Sequence, residues 1–524
     1  MRKFLTILCM LMLVLPLVAQ QRAGNIYVKV VDNEQNALPG VTVTVSGLRT
    51  GAMTQITNAG GNARFLSLSP GVDYMVKAEL QSFKTEIRDN IIVAVGGNVE
   101  LEIVMQMGAI SEEVTVTAVS PVVDQKKTSV GTNVTQEILQ SLPTARDPWV
   151  ILQMAPSVIV DRENVGGAES GQQSSYVGRG SSNYNNNVWA MDGVVITDPA
   201  AIGASPSYYD FDAFEEMQIV VGGADVTVQT GGIALNMVTR RGGNKVSLGG
   251  RFYLTDSKFQ ALNEEYVADL IAEERAAGRT SFLGINKIKQ NKDYGFNIGM
   301  PLWPDKAWFW GSFGVQDIHT VTVQGGPWDY LIQNYVAKLN LQIVPENRFE
   351  AFIHSGAKTA VGRSSSNSLP EGYIQGGRYH FGSPIVKFQD EHMFGENLFL
   401  SVKYAFSDAG FNLTPVMDPD FNDVPVWDYT DQRWYGSEWR YYVERPVNQY
   451  NVLANLFLDN VLGASHEWKI GFEMADRNQY SESVYSGNMI VRQNYNFNAV
   501  DMDGDGILDP LNGLKRFEFW RGSF

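Results

Sequence analysis

Four aspartates near the end of the sequence are spaced as in a calcium-binding loop. In "DMDGDGILDP", Gly506 stands where such a loop turns sharply, and carboxylates at alternate positions can converge on one cation. Asn512 stands where a bidentate Glu is usual. Two interpretations therefore stay open, a structural calcium site and an uncomplexed acidic loop. The candidate ligands are Asp501, Asp503, Asp505 and Asp509.

Nothing in the sequence has the pattern of a catalytic centre. The five histidines are scattered, and no HxxE pair, the mark of many zinc peptidases, occurs. The single cysteine, Cys9, excludes disulfides within the chain and thiolate metal sites. We therefore expect a protein that is not an enzyme, and the only cofactor that the sequence suggests is the structural calcium ion of one of the two interpretations above.

Two segments have side chains that could bind a ligand. Residues 409–448 contain three tryptophans and several tyrosines, whose rings could stack on a sugar, clamp a peptide or simply pack on one another. The stretch "GRGSSNYNNNVWAMDG" offers amide side chains, and its alternative interpretation is an ordinary surface loop. The candidate ligand-binding residues are Asn183, Asn187, Trp427, Trp434 and Trp439.

The first residues predict export of the chain. "MRKFLTILCMLMLVLPLVAQQ" has two basic residues, an apolar run and a small Ala19 before a polar pair, which is the pattern of a secretory signal peptide over residues 1–19. No later apolar run is long enough for a membrane helix, so the exported part is either soluble or spans as strands. The formal net charge of −16 makes nucleic acid a poor partner.

Short alternating segments predict a small β-sandwich over residues 20–110. They read "NIYVKVVD", "VTVTV", "YMVKAE" and "VELEIVM", and Gly, Pro and Asn turns separate them. The stretches "VVDNEQNALPGVTVTV" and "TNAGGNARFLSLSPGVDYMVKAE" resemble the carboxypeptidase-regulatory-like domain, which implies a transthyretin-like sandwich.

After the sandwich, "EEVTVTA" is a short β-prone segment. It is either an ordinary edge strand or a segment that stays unpaired and adds to the sheet edge of a partner. Beyond it, residues 138–142 and 150–154 have helix-like apolar spacing, and "VWAMDGVVITDP", "FEEMQIVV" and "IALNMVTRRGG" predict strands.

Taken in this order, residues 111–245 resemble the α+β plug domain of TonB-dependent outer-membrane receptors. The resemblance implies a TonB box at about residues 112–118, which is the contact with the energy-transducing TonB protein. Its residues in this sequence are Glu113, Val114, Thr115, Val116, Thr117 and Ala118.

Residues 246–524 contain nine strand-like segments of about ten residues, and in several of them apolar and polar side chains alternate cleanly. Short links alternate with long ones, 256–292, 319–333, 356–383 and 409–448, so a meander would place all long links at one end. This pattern predicts part of a transmembrane antiparallel β-barrel. Nine strands would leave an open edge, so we expect either a piece of a longer protein or a second chain that completes the barrel.

The sequence thus predicts a mainly β protein: sandwich, plug and partial barrel. The resemblance implies a bacterial outer-membrane receptor that takes up a small or oligomeric extracellular ligand, with TonB and outer-membrane lipid as partners. The alternative is a secreted or surface-exposed adhesion protein built from β-domains, which would lack the TonB box and the one-sided long links.

Overall fold

The computed structural model describes residues 23–521, with gaps. The gaps are 48, 109–112, 118–128, 143, 145, 161–166, 168–169, 173–175, 179, 183–185, 201–203, 206, 224–227, 229, 262–263, 279–283, 324, 367, 380, 429–431, 462, 487–488 and 495–515. The predicted signal peptide, residues 1–19, lies outside the described residues. No helix in the described part of the chain is long and apolar enough to cross a membrane.

The first domain is a sandwich of two sheets. One sheet has the order β4-β1-β7, and the other has the order β3-β2-β5-β6. The inward side chains of both sheets, such as Ile26, Val43 and Val76, are fully buried in one core, as the alternating sequence predicts. The strands are β1 (Gly24–Val31), β2 (Thr42–Gly47), β3 (Thr50–Ile56), β4 (Asn62–Leu68), β5 (Gly71–Glu79), β6 (Thr85–Val93) and β7 (Asn98–Val104).

The β-prone segment after the sandwich is paired, which agrees with the first of its two interpretations, an ordinary edge strand. It forms β8 (Glu113–Thr117), which adds to the sandwich as the fifth strand of its larger sheet. β8 pairs in parallel with β6, from Thr85 opposite Glu113 to Asp89 opposite Thr117. The pairing joins strands that a whole further strand, β7, separates in the sequence, which local patterns do not encode.

The plug is built on a five-stranded sheet with the order β14-β13-β16-β15-β9. A helix at Gln136–Ser141 and a 3₁₀ turn at Val150–Met154 occupy the two predicted helical positions, and both contribute to the core over this sheet. A second small sheet has the order β10-β11-β12. The plug strands are β9 (Val130–Thr135), β10 (Val158–Val160), β11 (Tyr176–Gly178), β12 (Ser181–Ser182), β13 (Asn187–Met191), β14 (Val194–Val195), β15 (Phe214–Gly222) and β16 (Ile233–Thr239).

The rest of the described chain is mainly antiparallel sheet, with one parallel pairing, a 3₁₀ turn at Ser257–Phe259 and an exposed helix at Glu264–Ala276. Its strands are β17 (Ser247–Asp256), β18 (Lys287–Trp303), β19 (Ala307–Val321), β20 (Pro327–Leu341), β21 (Asn347–Arg363), β22 (Tyr373–Gly377), β23 (Ser383–Phe394), β24 (Leu398–Asp408), β25 (Phe411–Pro415), β26 (Val426–Asp428), β27 (Arg433–Tyr435), β28 (Trp439–Glu444), β29 (Pro446–Val461), β30 (Ala464–Arg477), β31 (Tyr480–Tyr485), β32 (Met489–Asn494) and β33 (Arg516–Arg521).

Nine long strands form a continuous meander that we call the wall: β17, β18, β19, β20, β21, β23, β24, β29 and β30. They correspond one to one with the nine strand-like segments. The prediction of a long loop at 319–333 is wrong. β19 and β20 extend into this range and pair as far as Val321 opposite Pro327, so only a short turn joins them. β-prone Thr and Val residues before the turn, and Trp328 and Tyr330 after it, favour this extended hairpin.

Two other predicted long links also contain strands. β22, β25, β28 and β31 form a sheet that continues outward from β21. The aromatic segment 409–448 supplies β25 to β28 of this region. This end of the wall is therefore built from sheet, whereas the sequence predicted loops.

Burial along the wall is inverted relative to a soluble sheet. The apolar side chains of β30 face outward, with Trp468 55%, Ile470 46% and Met474 50% exposed. On β24, Lys403 is 7% exposed while Val402 is 45% exposed. An apolar outer surface over a polar interior is the pattern of strands that face lipid.

Candidate functional site

The plug contacts the wall most closely at one hairpin turn. Asp192 and Gly193 join β13 to β14, and both take positive φ, 46° and 71°, as a tight two-residue hairpin turn requires. The Asp192 carboxylate is buried and also accepts a hydrogen bond from the Thr239 hydroxyl at the end of β16. The turn is thus a rigid, negatively charged point on the plug.

Three lysines from three wall strands converge on this turn. Lys338 donates to the Asp192 carboxylate at 3.0 Å and to the Thr239 carbonyl at 2.9 Å. Lys387 donates to the Asp192 carbonyl at 3.2 Å, and Lys403 donates to the Gly193 carbonyl. Because all three lysines are less than 10% exposed, these contacts satisfy charges that would otherwise be costly to bury.

β14, the strand after the turn, and the residues that follow it are held by β29 and by Arg445, which directly precedes β29. Gln449 donates to the Val195 carbonyl at 2.7 Å and accepts from the Val195 amide at 3.0 Å. Arg445 forms a buried ion pair with Asp198. The hairpin is therefore fixed along its length to the inner face of the wall.

A second charged cluster joins the plug to β17 and β18. Arg251 of β17 contacts Asp210 at 2.7 Å and Asp293 at 2.8 Å. From the plug, Arg146 contacts Asp293 and Asp212, both at 2.8 Å. The cluster pairs two guanidinium groups with three carboxylates across the interface.

Burial affects the plug members of this cluster in different ways. Burial raises the pKa of the Asp210 carboxyl, and the Arg251 guanidinium acts in the opposite direction. Burial alone would lower the pKa of Arg146, but the Asp293 and Asp212 carboxylates outweigh it and raise that pKa. Arg146 therefore keeps its charge inside the interface.

The sandwich lies against the ends of the wall strands. Arg64 on β4 donates to both carboxylate oxygens of Asp459 at 2.7 and 2.8 Å. Beside this pair, Leu66 packs with Phe399 and Phe457 in a small buried cluster. The interface thus combines a charged pair with apolar contact.

The sandwich also contacts the plug sheet. The Val95 amide donates to the Glu216 carboxylate at 2.9 Å, and the Val95 carbonyl accepts from Asn133 at 2.8 Å and from Gln218 at 2.9 Å. Arg49 forms an ion pair with Glu215. One loop of the sandwich therefore touches both β9 and β15 of the plug.

Contacts of the sandwich identify the end of the wall at which it sits. Its side chains reach Gln342 beside the β20–β21 turn, Glu391 before the β23–β24 turn, and Asp459 before the β29–β30 turn. These are short turns of the meander. The exposed helix, which joins β17 to β18, and the sheet of β22, β25, β28 and β31, which continues from β21, lie at the opposite end of the wall. The long connections are therefore on the side away from the sandwich.

Of the predicted coupling residues, the structure describes the backbone of Glu113 to Thr117 as β8, and Ala118 lies outside the described residues. Asn183 also lies outside them. Asn187 begins β13 and is 6% exposed inside the plug, so it does not line an open surface. The roles assigned to these residues stay predictions.

The predicted aromatic residues pack among themselves. Trp427 and Trp434 lie opposite each other on β26 and β27, with ring centroids 5.2 Å apart. The ring centroids of Trp439 and Tyr373 are 5.2 Å apart, and the Tyr373 hydroxyl donates to the Glu438 carboxylate. This contact network accounts for the position of the rings, and ligand binding by them stays a prediction.

The predicted calcium ligands, Asp501 to Asp509, lie outside the described residues. In the part of the chain that the structure describes, no three His, Cys, Asp or Glu side chains are grouped as a metal site.

The sequence did not identify Lys338 and Lys387 as plug contacts, although their place on the polar face of alternating strands was visible. A lysine on the polar face of a strand is normally solvated. Which of them meet the plug depends on the register of the wall against the Asp192 turn, which the sequence pattern does not give.

Comparisons with known proteins agree with this architecture. Residues 25–106 match the family model of the carboxypeptidase regulatory-like domain, and residues 124–234 match that of the TonB-dependent receptor plug domain. The chain is 27% identical over 285 residues to the TonB-dependent transporter Oar of Myxococcus xanthus, which covers 52% of this chain and 24% of Oar.

In fold, the chain is similar to the outer membrane transporter YddB from Escherichia coli, with a TM-score of 0.51 and 14% identity over 75% of this chain. It covers 52% of YddB, so it spans about half the length of that transporter. At this identity the likeness concerns the fold alone.

Proposed function

We propose that this chain, which has a carboxypeptidase regulatory-like domain followed by a TonB-dependent receptor plug domain, is part of a TonB-dependent receptor in a bacterial outer membrane. It acts in the energised uptake of an extracellular ligand. The wall faces lipid, the plug closes its interior, and the side of the wall away from the sandwich faces outward.

The observation that carries the proposal is the inverted wall with the plug fixed inside it. Apolar side chains such as Trp468 and Phe472 are about half exposed on the outside. On the inside, Lys338, Lys387 and Lys403 are buried against the Asp192–Gly193 turn. A secreted adhesion protein would bury its apolar face, so these strands favour the receptor.

In this proposal, TonB binds Glu113–Thr117 and transmits force to the plug through this segment. A short strand with β-branched residues suits addition to the sheet edge of TonB, in which main-chain hydrogen bonds supply the affinity. The next described strand, β9, is the edge strand of the plug sheet, where it pairs with β15, and its Asn133 side chain also donates to the Val95 carbonyl of the sandwich. A pull on the segment therefore loads the β9–β15 ladder before any other part of the plug sheet.

Binding of the purified periplasmic domain of TonB to the full chain in detergent tests the proposal. Val116→Pro removes an N–H donor and fixes the backbone, so it is expected to weaken binding at least tenfold. Val116→Ala keeps the main chain intact and is expected to bind within about twofold of the unmodified protein.

The matched pair separates strand addition from side-chain recognition. Equal binding by Val116→Pro and the unmodified chain would show that the coupling segment lies elsewhere. No binding by any form, with the plug still folded by its circular dichroism and melting profile, would contradict the proposed function itself.

A further inference from the structure

β8 occupies a defined position on the sandwich. It is the last strand in the order β3-β2-β5-β6-β8, and its five residues stay in parallel register with β6 without a bulge. Among the described strands, β6 is the only one that pairs with β8. The segment proposed to bind TonB is therefore already a strand before any partner arrives.

A paired edge strand still has one free side. In a parallel ladder, alternate residues of a strand direct their N–H and C=O groups to one neighbour, and the intervening residues direct theirs to the opposite side. Pairing with β6 uses only one side of β8. No described strand pairs with the other side, whose main-chain groups are what an added strand requires.

The sandwich that carries β8 is itself held in place. Arg64 and Asp459 join it to the wall at 2.7 Å, and Val95 joins it to Glu216 and Asn133 of the plug. The sheet that includes β8 is thus joined to the plug and the wall by contacts of the sandwich. Ordering a flexible segment costs conformational entropy on binding, and a pre-ordered strand avoids that cost.

We propose that the sandwich presents Glu113–Thr117 as a pre-formed edge strand, so that the regulatory-like domain is part of the TonB-binding surface. This inference rests on the proposed function. A strand of TonB adds to the free side of β8 and extends the five-stranded sheet to six, while β8 remains on β6. The opposite possibility is that β6 hides the segment and must release it before TonB binds.

A disulfide between the two strands distinguishes these possibilities. Ile87 and Thr115 are partners in the β6–β8 register, so Ile87→Cys with Thr115→Cys can lock β8 in place. Cys9→Ser is included because Cys9 is the one native cysteine. The affinity of the full chain for the periplasmic domain of TonB is measured in the oxidised and reduced forms.

A second pair provides the matched control. Thr44 and Thr54 face each other on β2 and β3, with their hydroxyl oxygens 3.2 Å apart, in the same sheet but away from β8. Thr44→Cys with Thr54→Cys thus tests the effect of oxidation and of a disulfide in this sheet. Its affinity for TonB is expected not to change on reduction.

If the sandwich presents β8 to TonB, the oxidised protein with Ile87→Cys and Thr115→Cys should bind the periplasmic domain of TonB with a Kd within threefold of that of its reduced form. A loss of tenfold or more on oxidation, recovered by reductant and absent from the control pair, overturns the inference and leaves the proposed function standing. No binding by the reduced forms or the unmodified chain overturns the proposed function, and this inference with it.

Hydrogen exchange on the unmodified chain adds a test without cysteines. If β8 stays on β6, the slowly exchanging amides of β6 keep their protection when the periplasmic domain of TonB is bound. Loss of that protection in the complex would show that TonB displaces β8 from β6, which contradicts the proposal that the sandwich presents β8 as a pre-formed edge strand.

Discussion

Arg64 of the sandwich donates to both carboxylate oxygens of Asp459 in the wall, at 2.7 and 2.8 Å, and its guanidinium lies 4.9 Å from the centre of the Phe457 ring. Asn58 donates to the same carboxylate at 2.7 Å. One wall position thus receives two side chains of the sandwich. This pair is one of the contacts that fix the orientation of the domain that carries the coupling strand.

Arg64→Ala is therefore expected to loosen the sandwich. Arg64 is 12% and Asp459 22% exposed at the side chain, so we expect a loss of about 1–2 kcal/mol in docking free energy. Spin labels on Glu34 and Glu396, both exposed, report the distance between the domains. The distance distribution should broaden. Arg88→Ala, which breaks a pair with Glu86 inside the sandwich, is the control and should leave it narrow.

Lys338 is expected to stabilise the plug inside the wall. Lys338→Met leaves the buried Asp192 carboxylate without its closest ammonium partner, which should cost about 3–5 kcal/mol in the free energy of unfolding. Denaturant unfolding in detergent measures the change. Lys245→Met, at an exposed position just before the wall, should change it by less than about 0.5 kcal/mol.

A double mutant checks that the effect comes from this ion pair. Adding Asp192→Asn to Lys338→Met removes the stranded charge, so the combined loss should be smaller than the sum of the two single losses. Simple additivity would show that Lys338 and Asp192 do not interact across the interface.

The sequence predicted the wall well and the contacts between domains poorly. Period-two alternation identifies a strand such as Leu398–Asp408 to the residue, because each side chain of a lipid-facing wall must suit either lipid or the interior. The parallel pairing of Glu113–Thr117 with β6 is invisible to such a pattern. It depends on how the sandwich packs, and β-prone residues suit both a free and a paired segment.

The candidate site shows the same division. Alternation assigns Lys403 to the polar face, but only the tertiary structure brings it to the Gly193 carbonyl with Lys338 and Lys387. The aromatic segment 409–448 was predicted as a long link between two strands. Its β-prone residues instead form β25 to β28.

Labelling of intact cells tests the orientation of the wall. A cysteine at Glu273, in the exposed helix Glu264–Ala276, should react with a membrane-impermeant maleimide on whole cells. A cysteine at Glu396, in the β23–β24 turn on the sandwich side, should react only after the outer membrane is permeabilised. Labelling of Glu396→Cys but not Glu273→Cys on whole cells would reverse the orientation.

Calcium is expected to bind the acidic segment as a structural ion. Four carboxylates within nine residues repel one another, and a divalent cation relieves that repulsion. Isothermal titration of the full chain should give a heat of calcium binding that Asp503→Ala with Asp505→Ala removes. The same heat from both proteins would exclude this segment as the site.

Photo-crosslinking in living cells tests the central claim most directly, that Glu113–Thr117 is where TonB engages this chain. A photoreactive amino acid at Thr115 is expected to give a covalent adduct with TonB on illumination, and one at exposed Glu34 of the sandwich is expected to give none. Immunodetection of TonB in the adduct is the readout, with each variant at normal abundance in the outer membrane. If Thr115 gives no TonB adduct under these conditions, the segment is not the coupling contact and the account of energised uptake is wrong.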